Sequence, residues 1–267
     1  MGKLSDSFAR AKAEGRGHLT IFITAGDPSL EATAELVPAL AAAGVDAVEL
    51  GIPFSDPLAD GPVIQAAGQR ALERGCTVRG VLDCVRAIRA TCDLPLAFMT
   101  CYNPVLQTGP DAFAREAQAA GVDGVLVTDL PPSEAGPWVE TLAANELGAI
   151  FLVAPSSTPE RVELAARLST AFVYCVSRPG VTGTRDALPA ELSDLVRRIR
   201  EKTERPISVG FGVSKAEHVR QVCQVANGAI VGSAMVRVIA EAPDAGSAVK
   251  RASAFARELA TGKRLAG

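Results

Sequence analysis

Lysine is missing from a long central stretch of this 267-residue chain. It occurs only at Lys3, Lys12, Lys202, Lys215, Lys250 and Lys263, so positions 13–201 hold none. A Schiff-base lysine or a lysine-bound phosphate within that stretch is therefore excluded. A basic excess is also missing. Lys+Arg is 27 against Asp+Glu 30, a net charge of −3, which gives no electrostatic footprint for a nucleic-acid backbone. No apolar run reaches the roughly 18–20 residues of a membrane span. The segment from Met1 to Phe8 is polar and lacks a signal-peptide core, so the cytoplasm is the expected compartment. The six cysteines, Cys76, Cys84, Cys92, Cys101, Cys175 and Cys223, form no C-x-x-C pair. They read as reduced core residues, with metal ligation or a reactive thiol as the other possibility. His18 and His218 are isolated, so neither a metal site nor a Ser-His-Asp triad is supported.

Apolar residues are plentiful, at 48%, and they are organised. Short runs recur at Leu19–Thr24, Val45–Leu50, Leu96–Thr100, Gly124–Thr128, Ala149–Val153, Ala171–Val176, Ile207–Phe211 and Gly228–Val231. Each has strand length and is near-continuously apolar, as in a parallel sheet covered on both faces. Helical spacing separates them: Val78, Val81, Leu82 and Val85 form one stripe, and Leu192, Leu195, Val196 and Ile199 another. Asp27-Pro28 and Thr158-Pro159 read as helix starts, and Ser214 with Glu217 as a capping box. Eight strands alternating with helices predict an α/β fold: a (β/α)8 TIM barrel with an extra N-terminal helix, one domain over residues 1–267. The rival, a doubly wound sheet, would carry a Gly-rich turn after its first strand, where this chain has Thr24-Ala25-Gly26-Asp27.

In such a barrel, chemistry sits in the loops after the strands. Asp46 opens the second strand and is expected to be solvated. Glu49 lies among apolar neighbours near its end. Burial would raise its pKa and suit it to acid or base work, and pairing with an arginine is the alternative. In the loop Gly51–Pro62, Asp56 and Asp60 are turn residues, or one of them completes a carboxylate pair with Glu49. The loop Ser177–Leu188 has the glycines of a closing lid. Gly210-Phe211-Gly212 and Gly232-Ser233 precede helices, so their backbone N–H groups suit a phosphate; tight turns are the plainer reading. Tyr102 and Tyr174 lie near strand ends, either lining a pocket or packing the core, and Trp138 reads as packing.

Taken together these segments resemble one family. Glu49-Leu50-Gly51-Ile52-Pro53-Phe54-Ser55-Asp56-Pro57-Leu58-Ala59-Asp60-Gly61-Pro62 is similar to the signature of the tryptophan synthase alpha chain. Thr24-Ala25-Gly26-Asp27-Pro28, Asn103-Pro104, Asp129-Leu130-Pro131, Ser177 to Gly183, Gly210-Phe211-Gly212 and Gly232-Ser233-Ala234 continue the resemblance in order. It implies a lyase that splits indole-3-glycerol phosphate into indole and glyceraldehyde 3-phosphate, with Glu49 and Asp60 catalytic. It implies substrate contacts at Phe22, Tyr102, Tyr174, Arg178, Thr182, Gly183, Gly210, Phe211, Gly212, Gly232 and Ser233. Thr182 would bond Asp60 when the loop Arg178–Gly183 shuts. No cofactor is implied in this chain; pyridoxal phosphate belongs to the expected partner, the tryptophan synthase beta chain, in an α2β2 heterotetramer. Pro53, Asp56, Asn103 and Pro104 would face that partner. Pro179 stands at a variable site of the lid and would stiffen it, and Thr100 and Cys101 put small, partly polar residues beside the pocket where bulkier apolar ones also occur in the family. A stand-alone lyase, a non-catalytic barrel subunit and another phosphate-binding barrel enzyme are the competing expectations.

Overall fold

The structure is a computed structural model that describes residues 2–176, 190–210 and 212–264, without the side chains of Ala190 and Glu191. In chain order its elements are α1 (Lys3–Ala13), β1 (His18–Thr24), α2 (Leu30–Ala42), β2 (Ala47–Gly51), α3 (Pro62–Glu73), α4 (Val78–Arg89), β3 (Leu96–Thr100), α5 (Tyr102–Thr108), α6 (Pro110–Ala120), β4 (Gly124–Val127), α7 (Gly136–Ala144), β5 (Gly148–Val153), α8 (Pro159–Leu168), β6 (Val173–Val176), α9 (Ala190–Arg200), β7 (Ile207–Gly210), α10 (Ala216–Val225), β8 (Gly228–Val231), α11 (Ser233–Ala240) and α12 (Ala245–Ala260), followed by a short 3-10 turn at Thr261–Lys263. The strands pair in parallel from β1 to β8, and β8 closes on β1 with Thr20 opposite Ile230.

Strand alternation explains the continuous apolar runs. One parity points inward, where Ala47, Ala97, Leu126, Ile150, Phe172 and Ile230 fill the barrel. The other points outward, where Leu19, Ile21, Val48, Leu50 and Phe98 pack under the helices. Both parities are buried, so no polar alternation survives.

The extra helix plugs the lower end of the barrel. Leu4 and Phe8 of α1 join the interior cluster. Phe8 stacks on His18 with ring centroids 3.7 Å apart. Gly124 makes room, because a Cβ there would stand 2.8 Å from Leu4. His18 is a core histidine: Ser7 Oγ lies 2.9 Å from its Nε2, and burial pushes its pKa down to about 3.

Four local expectations are corrected. Asp46 is buried at 6% exposure, not solvated. It accepts from the Leu19 N–H at 2.9 Å and from Lys263 Nζ at 2.9 Å, and Arg16 pairs with it as well. Asp27 does not cap a helix. Its peptide to Pro28 is cis, Ser29 caps α2, and the Asp27 carboxylate takes a two-pronged contact from Arg70 at 2.9 and 2.6 Å. Ser214 and Glu217 form no capping box, because α10 begins at Ala216 with Lys215 at the cap position. The Ser214 N–H donates to His218 Nδ1 instead, and Glu217 pairs with Arg220. The second and sixth strands begin at Ala47 and Val173, two residues later than expected. Thr158 does cap α8 as read.

Candidate active site

A cleft of about 370 Å³ opens at the C-terminal ends of the first strands. Phe22 and Thr24 of β1, Gly51 of β2, Met99 and Thr100 of β3, and Asp60 from the loop that follows β2 form its wall.

Glu49 points inward between Phe22 and Ala97, its partners in strand register. It is 1% exposed, and neither carboxylate oxygen has a hydrogen-bond partner among the described residues. No arginine neutralises it among the described residues. Desolvation lifts its pKa to about 8. An unpaired, largely protonated carboxyl beneath a cleft is suited to proton transfer.

Of the two loop aspartates, Asp60 is the one in the cleft wall. It is half-buried, and desolvation lifts its pKa to about 6. Its backbone is tied down by Gln65 in the first turns of α3, whose side-chain amide donates to the Asp60 carbonyl at 2.9 Å and to the Pro57 carbonyl at 3.3 Å. Asp56 is exposed and accepts from the Ser55 hydroxyl. The two raised carboxyl groups thus have different environments, the arrangement that separates acid and base roles.

Two glycines make room for aromatic rings. A Cβ on Gly51 would stand 2.6 Å from the Phe22 ring, and one on Gly210 would stand 2.5 Å from the Tyr174 hydroxyl. Tyr174 faces the barrel interior beside Phe172. Tyr102 turns outward instead, edge-on to Trp138 with centroids 6.4 Å apart. Gly232 precedes α11, of which Ser233 is the first residue, and Phe22 lies 3.7 Å from where its Cβ would be. Gly212 has φ +44, a left-handed conformation that favours glycine. Pro53 is on the cleft rim, and Asn103 and Pro104 lie on α5. Arg178, Thr182, Gly183 and Phe211, with the rest of the lid loop, lie outside the described residues.

Thr24, Met99, Thr128 and Gln65 belong to this region and were missed as site residues. Inward parity at the top of a strand was the available signal for Thr24 and Met99. Among the described residues no group of three or more His, Cys, Asp or Glu is placed to hold a metal, and no helix is long and apolar enough to cross a membrane.

These features define a class: a (β/α)8-barrel enzyme with an unpaired buried glutamate and a cleft-wall aspartate at the C-terminal face, the side where barrel enzymes carry their chemistry. The tryptophan synthase alpha chain model matches residues 8–264. A tryptophan synthase alpha chain from Solibacter usitatus is 45% identical over 262 residues, 98% of either chain. One from Geobacter sulfurreducens is 47% identical over 238 residues, 89% of this chain and 90% of that one. Among solved structures, a chain of tryptophan synthase from M. tuberculosis superposes with a TM-score of 0.90 at 37% identity, with all of both chains covered. The alpha subunit from Legionella pneumophila gives 0.90 at 34%, covering 98% of each. The chain belongs to the tryptophan synthase alpha chain family.

Proposed function

We propose that Glu49 and Asp60 cleave indole-3-glycerol phosphate in this barrel, yielding indole and glyceraldehyde 3-phosphate. The chain is a carbon–carbon lyase of tryptophan biosynthesis, the alpha subunit of tryptophan synthase. Glu49 donates its proton to the indole ring carbon that bears the side chain. The Asp60 carboxylate accepts a hydrogen bond from the indole N–H and stabilises the positive charge that develops there. The ring is then an electron sink. Glu49, now a carboxylate, takes the proton from the adjacent glycerol hydroxyl. The oxygen's electrons form the aldehyde, and the electrons of the broken carbon–carbon bond restore the indole ring. One proton leaves Glu49 and one returns, so no cofactor in this chain and no lysine is required. The observation that carries this reading is the Glu49 carboxyl, buried and without a partner among the described residues beneath the cleft that Asp60 lines.

Phe22 and Tyr174 hold the indole; Tyr102, which the family resemblance places there as well, packs on Trp138. Gly210, Gly212, Gly232 and Ser233 offer backbone N–H groups and a hydroxyl to the phosphate. Gly183 and Phe211 complete that site, and Arg178 and Thr182 close over it. The family implies a beta-chain partner. Pro53, Asp56, Asn103 and Pro104 meet it in an α2β2 assembly, and the pyridoxal phosphate is the partner's. The 95% exposed Leu58 in the same loop supports that face.

Incubation with indole-3-glycerol phosphate tests the reaction: release of indole is expected, and its absence would refute the assignment. Titration with a beta chain tests the assembly. Stimulated turnover is expected, and neither binding nor stimulation would favour a stand-alone lyase.

A further inference from the structure

Among the described residues, two of the cleft's buried or half-buried hydroxyls are satisfied and one is not. The Thr100 hydroxyl donates to the Cys101 carbonyl at 3.0 Å, the Thr128 hydroxyl to the Thr100 carbonyl at 3.4 Å, and the Cys101 thiol lies 3.8 Å from the Thr128 hydroxyl. Thr24 is different. It is 5% exposed, it lines the cleft, and its hydroxyl has no hydrogen-bond partner among the described residues. Its neighbour in strand register is Gly51, which offers no side chain. Thr24 shares its inward face with Phe22, and on β2 the partnerless Glu49 carboxyl lies two residues below Gly51. Valine has the same shape and the same fitness for a strand, and it would avoid the cost of a buried, unpaired hydroxyl. Set in the cleft wall, the Thr24 hydroxyl is free to bond a molecule that enters the cleft.

We infer that Thr24 is a substrate-binding residue whose hydroxyl hydrogen-bonds the hydroxyl-bearing side chain of the substrate, next to the bond that Glu49 breaks. This rests on the reaction proposed above. The indole ring offers a single N–H, which Asp60 takes, and the phosphate is assigned to the Gly232–Ser233 end. The glycerol hydroxyls remain, and they lie beside the carbon that Glu49 must reach.

The test compares wild type, Thr24→Val and Thr24→Ser in indole release. It also measures inhibition by an analogue that has a propyl phosphate chain in place of glycerol phosphate. Thr24→Val is expected to lower kcat/KM by about 10–100-fold, the range for one lost hydrogen bond that leaves a buried partner unpaired. Thr24→Ser is expected to stay within about threefold of wild type. The analogue has no hydroxyl to lose, so its inhibition constant is expected to be the same in all three. Thr24→Ala serves the same comparison if Thr24→Val does not fold. Turnover by the valine variant within twofold of wild type would overturn the inference while leaving the reaction standing. A parallel loss of analogue binding would also overturn it, since Thr24 would then only shape the cleft. No indole from wild type would overturn the underlying reaction and this inference with it.

Discussion

At 1% exposure and without a partner among the described residues, the Glu49 carboxyl is held at a cost to stability. The sign of that cost follows from linkage. An unfolded chain releases this proton near the ordinary value of 4.5, whereas the folded protein keeps it to about 8. The native state therefore binds more protons between those values, and stability falls as pH rises through that window. Glu49→Gln removes the effect. At pH 8 the variant is expected to be more stable than wild type by roughly 2–4 kcal/mol, with the gap closing toward pH 4, as measured by denaturant unfolding. Gly210→Ala makes the opposite kind of change. It places a methyl within 2.5 Å of the Tyr174 hydroxyl, so the ring must move. A drop in kcat/KM of at least about tenfold is expected, as for a small misplacement of a positioned group. Glu49 was legible in the sequence because a carboxylate within an apolar strand is conspicuous. Asp46 was not, because its cations, Arg16 and Lys263, lie 30 and 217 residues away.

Among the elements, the strands were the most legible, because a barrel strand is buried on both faces and its apolar run needs no distant information. The caps were less so. Asp27 looks like a local start signal, yet Arg70, 43 residues on, competes for its carboxylate and wins with two hydrogen bonds. The helix α1 gave no sign of its role as a plug, since only the closed barrel creates the opening it fills. Phe8→Ala removes the ring stacked on His18 and packed on Phe172, with an expected loss of about 3–5 kcal/mol in unfolding free energy. The loop after β2 depends on α3 through Gln65. Gln65→Met keeps the length of the side chain and loses both donated bonds to the loop. It is expected to lower kcat about tenfold with little change in thermal midpoint, because it acts on where Asp60 sits and not on the core.

For the whole molecule, the barrel brings two raised carboxyl groups to one end, and the proposed reaction gives them different jobs. In the proposed reaction Asp60 acts ionised, with a pKa of about 6, and Glu49 acts protonated, with a pKa of about 8. The kcat/KM profile is therefore expected to rise through pH 6 and fall through pH 8, a bell reporting the free enzyme. The lysine-free stretch of the sequence fits the same picture. Between positions 13 and 201 the chain has no amine for a Schiff base, and acid–base cleavage needs none. In the proposed reaction Glu49 moves the proton that breaks the bond. The most direct measurement is the rate of indole release from indole-3-glycerol phosphate by wild type and Glu49→Gln at pH 7. The variant is expected to fold and to be slower by about 10²–10⁴-fold, the range for a positioned general acid–base. A glutamine variant as fast as wild type would contradict the account.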